Sequence, residues 1–115
     1  MIRVIRFNDI LEKVTGNFPG ADLSLIEKAY VYSAKVHQGQ VRLSGEPYLI
    51  HPLEVAAILA DMKMDIATVT AGLLHDTVED TYATFDEIKE LFGPEVGSLV
   101  DGLTKISKMT LATHE

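Results

Sequence analysis

Apolar positions along this chain recur at steps of three and four and rarely alternate, so the pattern predicts helices and almost no strand. The first candidate is short. Ile5, Ile10, Leu11 and Val14 keep helical spacing, Asn8 or Asp9 is available as a cap, and Gly16 ends it. The clearest helix lies in ADLSLIEKAYVYSAKVHQG, where Leu23, Ile26, Tyr30, Ser33, Ala34 and His37 share a face. Asp22 can cap it, or Ser24 with Glu27 can form a capping box, and Gly39 stops it. The stretch QVRLSGEPYLI has no helical period and carries Gly45 and Pro47, so it reads as an ordered loop with a brief extended piece before His51.

HPLEVAAILADM restarts a helix, with Pro52 in its first turn and Leu53, Ala56, Ala57 and Ala60 on one face. Asp65 caps the next, DIATVTAGLLHDTVED, which is apolar nearly all round until His75 and is expected to be central and buried. Thr84 and Glu87 make a capping box for TFDEIKELFG, and Pro94 opens PEVGSLVDGLTKI. The tail SKMTLATHE has no strong pattern and reads as a fraying end or the start of a further helix. The expected class is all-α: about six helices in one domain, packed as a bundle without heptad regularity.

Composition narrows the partners. Of 115 residues 47% are hydrophobic and 23% charged, which suits one globular domain with a modest core. The net charge of −7 argues against nucleic acid or an anionic membrane as partner, though not against a small anionic ligand met by a few placed cations. There is no cysteine, so a metal would have to be held by histidine and carboxylate. No apolar run approaches the ~20 residues of a membrane span. MIRVIRFND lacks the long apolar segment and cleavage site of a signal peptide, and a cytoplasmic protein is the simplest expectation.

GLLHDTVED then poses the chemical question, because it starts apolar and ends in ionisable groups. Spacing alone leaves two accounts open: a helix end meeting water, or a metal site. His51 opens one predicted helix, and His75 with Asp76 stands near the end of the next, 24 residues on from His51. An antiparallel helical hairpin of that length brings first residue and last residue together. Two imidazoles and a carboxylate suit a divalent transition ion such as Mn²⁺, Fe²⁺ or Zn²⁺. If the helix runs on, Glu79 and Asp80, four residues after His75 and Asp76, share the ligand face and come within reach of an attacking water. The bland alternative for both is a solvated helix end. His37 reads as structural, at a helix C-terminus where the dipole favours a cation. His114 carries no assignment, Tyr48 reads as packing, and Thr104 with Lys105 is a candidate lining for a ligand pocket.

RLSGEPYLIHP, followed by HDTVEDT and later by DGLTK, resembles the N-terminal hydrolase half of the RelA/SpoT family. Those enzymes make and destroy the alarmone (p)ppGpp of the stringent response, and that half belongs to the HD superfamily of metal-dependent phosphohydrolases. The resemblance runs from about Ile10 to Lys108. It implies an HD-domain-like helical bundle, with His51, His75 and Asp76 as three of four metal ligands and Mn²⁺ as the metal. It implies Glu79 and Asp80 as the acidic pair of hydrolysis, Arg42 stacking on the guanine, and Ser44 in the same nucleotide-facing loop. Leu43 departs from the pattern, since many relatives carry a basic residue there.

The resemblance also implies a fourth ligand, an aspartate on a later helix, which the sequence through Glu115 does not include. Asp101 falls too early to match it. The expectation is therefore the N-terminal part (1–115) of an HD hydrolase domain, without its C-terminal helices, synthetase half and regulatory domains. The expected activity is Mn²⁺-dependent (p)ppGpp 3′-pyrophosphohydrolysis, returning GDP or GTP and pyrophosphate, with impaired turnover in this chain. The alternatives are a non-catalytic nucleotide-binding or regulatory module and another HD phosphohydrolase. Exposed apolar faces would allow a homo-oligomer.

Overall fold

The computed structural model describes residues 6–37, 50–81 and 83–114, and every regular element among them is helical. Seven follow in order: α1 (Phe7–Asn17), α2 (Ser24–Val36), α3 (Ile50–Asp61), α4 (Ile66–Leu74), α5 (Thr77–Asp80), α6 (Phe85–Phe92) and α7 (Pro94–His114). The all-α expectation holds. The difference in number arises because the predicted helix from Asp65 through Asp80 is interrupted at His75 and Asp76, leaving α5 as a single turn.

Helix α4 is the hub. Its apolar surface packs against α2, α3 and α7, as a helix that is apolar all round must. Val69, Leu73 and Leu74 are fully buried there against Ile26 of α2, Ala56 and Ala57 of α3, and Val96 and Val100 of α7 in one continuous core. The predicted α3 face of Leu53, Ala56, Ala57 and Ala60 is buried as a unit. Its alanines keep α3 thin enough for α4 to approach. On α2 the predicted stripe divides: Ile26, Ser33 and His37 are buried, and Leu23, Tyr30 and Ala34 half-buried.

The caps show where sequence signals act. Asp65 Oδ1 accepts from the Thr68 N–H at 2.9 Å and starts α4. Thr84 Oγ1 accepts from the Glu87 N–H at 3.1 Å and starts α6. Helix α1 begins earlier than its candidate caps suggest: Asp9 is already in the first turn, and its carboxylate reaches back to the Arg6 N–H at 3.0 Å. Gly16 lies inside α1, because Asn17 still has a use: its Nδ2 donates to the Ala60 carbonyl at 2.8 Å and ties α1 to the end of α3. Asp22 precedes α2 and accepts from the Ser24 N–H at 2.9 Å, while Ser24 is the first helical residue and forms no capping box. Helix α2 ends at Val36, and Gly39, expected to stop it, lies outside the described residues. The tail from Ser107 is not a separate element but continues α7 to His114.

The turn between α3 and α4 fixes the hairpin on which the site depends. The Met64 N–H bonds to the Leu59 carbonyl and the Lys63 N–H to the Ala60 carbonyl, each at 3.0 Å. With Lys63 left-handed at φ 60°, this is a Schellman closure, occupied here by lysine instead of glycine. The chain therefore reverses within Met62–Asp65 and α4 runs back along α3.

Candidate metal and phosphohydrolase site

Gly72 sets how closely the two hairpin helices meet. A Cβ built there would lie 2.7 Å from Leu59 Cδ1, so Leu59 would have to turn aside, and at ordinary contact distance, 3.6 Å, from Ala56 Cα. From this contact point the hairpin's register follows. Five residues back from Ala56 along α3 is His51, in the first turn; five residues on from Gly72 is Thr77, just past His75 and Asp76. The backbone of His51 thus lies at the same end of the hairpin as the His-Asp pair. Its side chain, like those of Glu79 and Asp80, lies outside the described set.

His75 and Asp76 themselves converge. His75 is buried, with its side chain 11% exposed, and its Nε2 lies 3.0 Å from Asp76 Oδ1. Its Nδ1–H donates to the Gly72 carbonyl at 2.7 Å. That bond consumes one ring nitrogen on the backbone and leaves Nε2 to face the carboxylate, the orientation a histidine ligand needs. At 3.0 Å the two atoms stand at direct hydrogen-bond or ion-pair distance. An imidazole nitrogen beside a carboxylate oxygen, without thiolate, is a donor set that a divalent cation would accept. Among the described residues no group of three histidines or carboxylates comes together, and His51 is the candidate to complete one.

The α4 end is held open by side chains. Buried Thr77 donates from Oγ1 to the Leu74 carbonyl at 2.7 Å, and Thr81 Oγ1 to the Thr77 carbonyl at 2.5 Å. Thr104 of α7 donates to the His75 carbonyl at 3.4 Å. The helical ladder is interrupted at His75 and Asp76, so Glu79 and Asp80 are not on a helix continuous with α4. They lie instead on the separate turn α5 that follows the pair.

Arg42 and Ser44 fall in the 38–49 segment, outside the described residues. Thr104 and Lys105 part company. Thr104 is buried toward α4, whereas Lys105 is on the exposed face of α7, paired with Asp101 at 3.1 Å across one turn. His37 is buried at the C-terminal end of α2, as a structural histidine should be. Spacing did not single out Gly72 or Thr77. The available signals were a glycine inside an apolar helix, which implies close approach, and a threonine directly after the His-Asp pair.

Comparison with known proteins gives a family. The HD-domain model matches residues 29–115. A GTP pyrophosphokinase of Myxococcus xanthus is 66% identical over 92 residues, 80% of this chain and 12% of its own length. The bifunctional (p)ppGpp synthase/hydrolase SpoT of Escherichia coli K12 is 42% identical over 103 residues, 90% of this chain and 15% of its own. The solved structure of a metazoan ortholog of SpoT, which hydrolyzes ppGpp and plays a role in starvation responses, superimposes with a TM-score of 0.65 at 36% identity. That match covers 76% of this chain and 49% of the other. The chain therefore spans 12% to 15% of the length of these curated relatives, which are larger multidomain proteins.

Proposed function

This chain belongs to the HD-domain family, as an HD domain of the RelA/SpoT type, and we propose that it serves to remove the 3′-pyrophosphate of (p)ppGpp. The observation that carries this reading is the His75 Nε2–Asp76 Oδ1 pair at 3.0 Å, with Nδ1 committed to the Gly72 carbonyl and His51 at the same end of the hairpin. In this proposal His51, His75 and Asp76 hold Mn²⁺. Bound there, the ion supplies Lewis-acid charge for phosphoryl oxygens and acidifies water near neutral pH.

The chain's own residues supply the rest. Gly72 and the buried position of His75 orient Nε2 and exclude bulk water from one side of the pair. Glu79 or Asp80, on the turn after the pair, takes a proton from the attacking water. The water oxygen bonds to the phosphorus beside the 3′ oxygen, that P–O bond breaks, and a proton goes to the departing 3′ oxygen. Pyrophosphate and GDP or GTP leave. Arg42 stacks its planar guanidinium on the guanine, with Ser44 beside it in the same loop. We assign residues 1–115 as the N-terminal part of such a hydrolase domain, working beside synthetase and regulatory domains in the larger proteins of the family. No helix among the described residues is long and apolar enough to cross a membrane. The exposed apolar residues Val31, Ile58, Met62 and Leu91 are the places where a second copy would pack.

The relatives named for pyrophosphokinase activity keep a second reading alive, a regulatory module that binds nucleotide without cleaving it. Mn²⁺-dependent pyrophosphate release from ppGpp, however slow, that disappears in His75→Ala supports hydrolysis. Nucleotide binding that survives His75→Ala, with no metal-dependent release from the parent chain, supports the regulatory module instead.

A further inference from the structure

We propose that Thr104 is a positioning residue for the His75–Asp76 pair, an inference that rests on reading the pair as metal ligands. Thr104 stands on α7 and is 4% exposed. Its hydroxyl donates to the His75 carbonyl oxygen at 3.4 Å, linking residues 29 positions apart. That carbonyl belongs to the peptide joining the two ligand-bearing residues. Rotating the peptide plane swings Asp76 relative to the His75 ring, so the 3.0 Å separation of Nε2 and Oδ1 depends on how the plane is held.

A regular helix would hold that carbonyl through the amide four residues on. Here the ladder is interrupted at both ligand positions. Side chains hold the carbonyls around the break: Gly72 by His75 Nδ1, Leu74 by Thr77 Oγ1 and His75 by Thr104 Oγ1. The first two bonds are local, each spanning three residues, and orient the groups only within their own segment. The bond from Thr104 comes from a different helix, and α7 packs along α4 through the buried Val96 and Val100. Thr104 therefore registers the ligand pair against the bundle, where the rest of a substrate site must be built.

Two variants separate hydroxyl from shape. Thr104→Val keeps the branched outline and removes the donor; Thr104→Ser keeps the donor and removes the methyl. Mn²⁺ binding to the 115-residue chain is followed by electron paramagnetic resonance, and the His75 ring ¹⁵N and Asp76 amide shifts are recorded in metal-free protein. Thr104→Val is expected to weaken Mn²⁺ binding about tenfold, the low end for a hydrogen-bond partner outside the ligand set, because the bond is long. It also moves the His75 ring and Asp76 amide resonances before metal is added, and Thr104→Ser restores both readouts. A Thr104→Val chain that melts earlier in EDTA but keeps parental metal affinity and ring shifts overturns the proposal and reduces Thr104 to packing. A parent chain that binds no Mn²⁺ brings down the ligand reading itself, and the proposal with it. The two failures are thus distinguishable.

Discussion

Removing the Asp65 side chain isolates the cap of α4 from the chemistry at its other end. Asp65 Oδ1 accepts from the Thr68 N–H at 2.9 Å, satisfying one of the amides that the first helical turn cannot pair internally. Asp65→Ala leaves that amide to water at an exposed position, where the loss of an N-cap typically costs about 1 kcal/mol. For a domain of this size that lowers the melting temperature by about 4 °C. The effect has a pH signature. Hydrogen bonds from the Thr68 side chain and backbone hold the Asp65 carboxyl below its ordinary range. A depressed folded-state pKa contributes stability that is fully present above the unfolded value of about 3.9 and is lost as pH falls through the folded one. The gap between parent and Asp65→Ala is therefore full at neutral pH and closes as Asp65 protonates. Asp65→Asn keeps an acceptor, so it stays close to the parent at neutral pH and loses the pH dependence. Thermal melts by circular dichroism at neutral and acidic pH, with Mn²⁺ titrations at neutral pH, supply the readout. Metal affinity should not change, because the cap lies at the opposite end of α4 from His75. Equal destabilisation at both pH values, or Asp65→Asn as unstable as Asp65→Ala, would refute the capping argument.

Gly72→Val forces branched carbons into the space occupied by Leu59 and beside the Ala56 backbone. It should destabilise the chain by about 1–3 kcal/mol as an overpacked crossing, read by urea denaturation, and weaken Mn²⁺ binding by displacing the carbonyl that orients His75. Glu79→Gln and Asp80→Asn should leave Mn²⁺ binding near parental, while whichever residue takes the proton loses about 10²–10⁴-fold in pyrophosphate release.

Periodicity located most of this fold because helical faces are decided by burial, and burial is written in residue type. The α3 face and the apolar α4 were legible for that reason, as were the Asp65 and Thr84 caps, where a side-chain acceptor sits just before an apolar run. Start and stop residues were less legible. Gly16 did not end α1 because Asn17 gains a bond to Ala60, a tertiary reward that no local window contains. The break at His75 escaped the pattern for the same kind of reason. The spacing continues through Asp80, and the bonds that take up carbonyls around the break come from hydroxyls, one of them on α7. In the site, His75 and Asp76 were legible as adjacent nitrogen and oxygen donors where an apolar run ends. That Nδ1 is committed to Gly72, leaving Nε2 toward Asp76, required coordinates.

The central claim is that the two ends of the α3–α4 hairpin bring His51 to His75 and Asp76 around one ion. Pulsed electron paramagnetic resonance of Mn²⁺ on the chain, with ¹⁵N-labelled histidine, counts the imidazole nitrogens bound to it. The account predicts two in the parent chain and one in each of His51→Ala and His75→Ala. Bound Mn²⁺ with no histidine nitrogen in its coordination shell would contradict it.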